Sequence, residues 1–240
     1  MYYGSYYGFD WTYLVLVLPC LLLSMWASSS VNSTFQKFSK VYSIRRLTGA
    51  QAAQRVLAAN GVTGVQIQRI SGKLTDHFDP KSNVIRLSDP VYDSTSVAAI
   101  GVACHEAGHA VQYAQHYAPI KLRAAIIPIT NFGSKLAMPL ILAGVLLSYL
   151  GNFSYTLVYL GIACFSLSLV FQLVTLPVEF NASRRAMNAI ENTGILTIEE
   201  QRGARKTLTA AAMTYVAATA VSLALLVRLL VLFGGRRRDD

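Results

Sequence analysis

The sequence predicts a mainly α-helical membrane protein that carries a small cytoplasmic, zincin-like α+β element, and three observations carry that prediction. Hydrophobic residues make up 53% of the 240 residues and charged residues only 14%, where soluble domains hold about a quarter charged. The apolar residues gather in four long runs. Between the first two runs, inside VACHEAGHAVQ, stands His105-Glu106-x-x-His109, preceded by short segments that alternate like strands.

The first run, Trp11 to Trp26, approaches the roughly 20 residues that span a hydrocarbon core of about 30 Å. WASSS after it offers small residues of the kind found at a signal-peptide cleavage site. Its flanks argue against that reading: no Lys or Arg precedes Trp11, whereas Lys37, Lys40, Arg45 and Arg46 follow. A secretory n-region is basic, so this segment reads as an uncleaved anchor with its amino terminus outside.

Leu47 to Asn60 then reads as a short amphipathic helix with Ala53, Val56 and Leu57 on one side, ending at Asn60-Gly61. Val65, Ile67 and Ile70 alternate with polar residues as in a half-buried strand. LTDHFDP and NVIRLS are joined by Asp79-Pro80-Lys81-Ser82-Asn83, which is turn chemistry and predicts a hairpin. A small sheet follows, which either holds an extended peptide along its exposed edge or simply caps the domain. The motif helix is expected to begin at Asp93 or Ser94, either of which can cap it, and to run to about His116. Gly101 and Gly108 within it mark close packing or the approach of a ligand.

The second run, Leu136 to Leu150, is short and borrows length from the apolar stretch before Lys135. Tyr155 to Leu176 forms the third run, Pro177 opens a further helix, and Thr209 to Phe233 forms the last. The expected organisation is therefore an anchor over 1–30, a zincin-like segment over 31–135, a transmembrane hairpin over 136–176, a helix and loop over 177–207, and a final span with a basic tail over 208–240.

Lys and Arg are distributed unevenly: none precedes Trp26, twelve lie between Ala27 and Lys135, none in Gly151 to Thr156, five between Pro177 and Lys206, and four from Arg228 onward. Basic loops stay on the cytoplasmic side, so both rich segments are assigned there. Attraction to anionic lipid heads accounts for the net charge of +9. Nucleic acid is not an expected partner, because the charges are not interleaved with exposed aromatics. The tail Arg236-Arg237-Arg238 is the exception, since a fourth full span would carry it outside.

Two histidines four residues apart on a helix lie about 40° apart around its axis, so both imidazoles reach one Zn²⁺. Glu106 sits beside them, placed to accept a proton from water rather than to bind metal, the arrangement of a zinc-dependent peptidase. Such a site needs a third protein ligand and an open position. Between Glu106 and Glu191 the only acidic residue is Glu179, at the mouth of the third span, where an unpaired carboxylate is costly. Later acidic residues are Glu191, Glu199, Glu200 and the tail aspartates; His77 and His116 are rival ligands. Cys104 reads as a small buried residue, and no cysteine pair is evidently built as a disulfide.

LTDHFDP, IRLSDPVYDSTSVAAIGVACHEAGHAVQ and LPVEFNASRRA resemble the YugP-like family of bacterial membrane neutral zinc metallopeptidases, over about Gln51 to Val227. The helix after Pro177 is more distantly similar to the HtpX-like and CAAX-prenyl membrane endopeptidases, whose second zinc motif is Glu-x-x-x-Asp. The resemblance implies a gluzincin-type site, with His105, His109 and Glu179 on zinc and Glu106 as general base, in the plasma membrane of a prokaryote and with a polypeptide substrate. Where the distant relatives have Asp, this chain has Ser183, which would hydrogen-bond a zinc histidine more weakly. For the donor that stabilises the developing oxyanion, Tyr215, Arg184 and His116 are the candidates.

Two other classes compete. A site-2-type intramembrane protease would carry its motif deep in a span and use Asp as third ligand, but this motif has polar flanks and no Asp follows until the tail. A non-catalytic membrane scaffold or interaction protein with a structural zinc would use four closed, Cys-rich ligands, which this pattern lacks.

Overall fold

The computed structural model describes residues 11–234; the basic tail Arg236–Arg238 lies outside the described residues. A π-helical stretch Tyr13–Val17 leads into α1 (Leu18–Phe38), followed by α2 (Gly49–Ala59), β1 (Gln66–Ile70), β2 (His77–Asp79), β3 (Val84–Ser88) and the short α3 (Asp89–Tyr92). The motif helix is α4 (Val97–Ala114), and α5 (Ala118–Leu146), α6 (Asn152–Thr193) and α7 (Ile198–Gly234) complete the chain. Four helices are long and apolar enough to cross a membrane: Tyr13–Phe38, Ala118–Leu146, Asn152–Thr193 and Ile198–Gly234. The protein is mainly helical with one small sheet, as the apolar runs predict.

These helices exceed the predicted runs. The second begins at Ala118 and stops at Leu146, so Leu147–Leu150 belong to the turn instead. It retains Pro128 and Pro139, each of which removes one backbone hydrogen bond. The third does not restart at Pro177 but passes through it to Thr193. Val178, Ala182, Ala186 and Ile190, at helical spacing beyond the proline, are all buried. Their packing outweighs the helix-breaking tendency of the ring.

The chain divides into two compact units. One comprises Ile126–Leu173 with the terminal stretches up to Trp26 and from Val216. In it Gly144 and Gly161 let α5 and α6 approach closely: a Cβ at Gly144 would lie 2.7 Å from the Ser154 carbonyl oxygen, and one at Gly161 would lie 2.8 Å from that of Ala137. Small residues let membrane helices associate in this way, with polar side chains adding cross-links. Ser134 and Ser168 hydroxyls meet at 2.8 Å, and the Tyr159 hydroxyl donates to the Phe233 carbonyl at 3.0 Å. Leu142, Leu146, Phe153 and Leu160 remain exposed, which suits a lipid-facing surface.

The other unit, Ala27–Ala125 with Val174–Tyr215, holds the sheet and the motif. Its order is β1-β3-β2, with β3 parallel to β1 and antiparallel to β2. The predicted hairpin is thus present, and its turn is pinned by Asp79, whose carboxylate accepts from Lys81 N–H and the Ser82 hydroxyl and meets Arg86 at 3.0 Å. Central β3 buries Ile85 and Leu87 against a core that includes Val56 of α2 and Ile100 and Ala103 of α4. Thr48 and Gln51 cap α2 reciprocally, a capping box.

The motif helix starts later than expected, at Val97, with Ser96 as its cap. Asp93 and Ser94 cannot fill that role because the chain beyond them is held extended: Ser43 N–H donates to Thr95 O, and Val97 N–H to Val41 O. Ser94 instead donates its hydroxyl to Ser96.

Candidate metal centre

Helix α4 places His105 and His109 on one face, and α6 brings Glu179 to meet them. The approach depends on Gly108, where a Cβ would stand 2.6 Å from the Ala182 carbonyl oxygen. No larger residue lets the two backbones come so close. Gly101 likewise sits against Ala204 of α7, where a Cβ would lie at 3.4 Å.

Glu179 Oε2 lies 3.2 Å from His105 Nε2 and 3.5 Å from His109 Nε2. The three donor atoms fall within 4.8 Å of one another, the only such group of three among the described residues. Glu179 and His109 are buried, and His105 is partly so. Two imidazole nitrogens and one carboxylate oxygen are a donor set that zinc accepts. Burial disfavours a charged imidazole at His109, yet its pKa is raised from the ordinary value because Glu179 and Glu106 lie beside it. The pocket favours positive charge, as a cation site must.

A second layer of side chains orients the rings. Gln112, fully buried one turn beyond His109, donates its amide N–H groups to the Val178 carbonyl at 2.8 Å and to Asn181 Oδ1 at 2.9 Å. Its oxygen therefore faces His109 Nδ1, at 3.0 Å. That nitrogen must carry the proton, which leaves Nε2 free to bind metal. Ser183 Oγ lies 3.1 Å from His105 Nδ1. Arg123 of α5 donates through Nη1 to Glu179 Oε1 at 3.1 Å.

Beside these groups opens a cavity of about 390 Å³, lined among others by Asp76, His105, Glu106, Glu179, Ser183 and Tyr215. Asp76 is held by the Ser88 backbone N–H and hydroxyl at 2.8 Å and 2.9 Å. Tyr215 interacts with Glu179. Arg184 and His116 are not in that wall: Arg184 lines a separate cavity with Phe180 and Asn188, and His116 is exposed beyond the end of α4.

The rival ligands lie elsewhere. His77 is exposed on β2, with Nδ1 2.8 Å from the Thr75 carbonyl. Glu191 pairs with Arg205 at 2.8 Å. Glu200 accepts from Thr197 N–H and Ile44 N–H at 2.8 Å and 2.7 Å, capping α7. Cys104 is fully buried, and burial pushes its thiol pKa up, so it packs as a neutral side chain. The three cysteines are unpaired.

Gln112, Asn181 and Arg123 escape the sequence reading. Gln112 carries a local signal, since it follows His109 at the i+3 spacing that joins side chains on a helix. Nothing local marks the other two.

The chain is 46% identical over 228 residues to the "Putative membrane protease YugP" of Bacillus subtilis (strain 168), across 95% of this chain and 99% of that protein. No solved structure matches it. The family described as "Putative neutral zinc metallopeptidase" matches residues 13–234, and zinc is the metal that description names. A match running through both the apolar helices and the imidazole–carboxylate cluster leaves one conclusion: this membrane protein belongs to that zinc metallopeptidase family.

Proposed function

We propose that this chain is an integral membrane zinc endopeptidase of the gluzincin type that hydrolyses peptide bonds of membrane-associated or misfolded polypeptides. The observation that carries the reading is that Glu106 lines the same cavity as His105 and Glu179 without belonging to the cluster of donor atoms. His105, His109 and Glu179 would hold Zn²⁺, which when bound supplies a Lewis acid that polarises a peptide carbonyl and makes water a nucleophile near neutral pH. Glu106 accepts the proton of the attacking water and returns it to the leaving amine. Tyr215, in the same wall, is the donor best placed among the three candidates for the developing oxyanion. Gln112 keeps the His109 proton on Nδ1, and Ser183 steadies the His105 ring through Nδ1. Edge strand β2 follows directly on the Leu74–Asp76 segment that lines the cavity, a position suited to holding an extended chain by main-chain hydrogen bonds.

The test is metal dependence. Chelation is expected to abolish cleavage of an unfolded polypeptide by the purified protein in detergent, and added zinc to restore it; cleavage that persists after zinc is stripped refutes the proposal.

The basic segments support a cytoplasmic site with the Gly151–Thr156 turn outside. In a protein freed of its native cysteines, a cysteine at Asn152 is expected to react with an impermeant thiol reagent added to intact cells, and one at Asn192 to be protected. The reverse pattern places the active site outside.

A further inference from the structure

The ion pair between Arg123 and Glu179 is an expensive contact with no evident structural return. Glu179 is only 3% exposed and the Arg123 side chain 28%, and among the described residues the buried Nε of Arg123 meets no protein acceptor. Burying a carboxylate beside a cation is often no more stabilising than apolar side chains of similar volume. The task of the guanidinium at that carboxylate is therefore read from the contact itself.

That task follows from which oxygen it holds. Nη1 donates to Oε1 at 3.1 Å, while Oε2 faces both imidazole Nε2 atoms. A free carboxylate can give a metal one oxygen or two. With Oε1 turned to the guanidinium, Oε2 is the oxygen turned to the imidazoles. We propose that Arg123 is a positioning residue that holds Glu179 to ligation through a single oxygen, and so keeps a coordination position at the metal open for substrate. Helix α5 thereby belongs to the metal centre although it supplies no ligand. This inference rests on the ligand set proposed above.

The test uses the full chain in detergent, loaded with Co²⁺ in place of zinc. The visible spectrum of Co²⁺ reports coordination number, because four-coordinate cobalt absorbs more strongly than five-coordinate cobalt. In Arg123→Met the freed carboxylate is expected to offer both oxygens, weakening and shifting the cobalt bands. Metal affinity is expected to change by about 10- to 100-fold, the range for outer partners of metal ligands. Arg123→Lys keeps the charge but lacks the planar fork, so its spectrum should fall between the two.

A spectrum and affinity in Arg123→Met equal to the parent's overturn the inference. If that variant does not fold, Arg123→Lys decides alone: bands identical to the parent's overturn it, and shifted bands support it. Glu179→Ala in the same series separates the two levels. Metal retained there removes the ligand assignment itself, whereas metal lost there with Arg123→Met unaffected removes only the role of Arg123.

Discussion

Glu106→Gln is expected to hold zinc as the parent does and to lose at least about 10²-fold in kcat, the low end of what a positioned general base contributes. The exchange preserves volume and leaves both histidines, Glu179, Ser183 and Gln112 untouched. An amide, however, has no basic oxygen able to take the proton of the attacking water. Glu106 is 92% buried by its 8% exposure, so bulk water does not readily substitute for it. The decisive comparison is zinc content beside cleavage rate in the same preparations. Equal rates at equal zinc would assign the base elsewhere; loss of zinc from the variant would make Glu106 part of the ligand set and overturn its separate role.

Removal of Glu179 has the larger effect on the metal. Glu179→Ala deletes one of the three donors, leaves the two imidazoles without the carboxylate that sits between them at 3.2 Å and 3.5 Å, and strands Arg123 without its acceptor. Zinc affinity is expected to fall by on the order of 10³-fold or more, beyond the 10- to 100-fold typical of outer partners. Glu191→Ala, at an exposed pair with Arg205, should keep full zinc. Ser183→Ala removes only the hydroxyl beside His105 Nδ1 and is expected to cost about tenfold. Zinc measured after dialysis distinguishes these outcomes, and full occupancy in Glu179→Ala would refute its place at the metal.

Glu106 and Glu179 are both visible in the sequence, for different physical reasons. Spacing along one helix is local, so His105, Glu106 and His109 declare their common face without any tertiary information. Long apolar runs are equally local, and they announce the four membrane helices. Glu179 is legible by a different logic: acidic residues are so sparse between Glu106 and Glu191 that a carboxylate there stands out. The hairpin is readable because its turn residues carry the conformation themselves.

What depends on packing between distant segments is not readable in this way. Pro177 signals a helix end by its chemistry, yet α6 continues because Val178, Ala182 and Ala186 are buried beyond it. Asp93 and Ser94 have capping side chains, but the backbone of 95–97 is already committed to Val41 and Ser43. Arg184 and His116 have the chemistry of oxyanion donors, and the turn of α6 and the end of α4 carry them away from the cavity that Tyr215 enters. Arg123 is the clearest case. It lies 56 residues from Glu179 in the chain, in a segment whose composition marks only an apolar helix. The sequence by itself determined the four long apolar helices and the motif proposed to hold zinc, because both are written in the pattern of single segments. The tertiary structure decided which outer residues meet the proposed ligands, because that is set by which helix faces which.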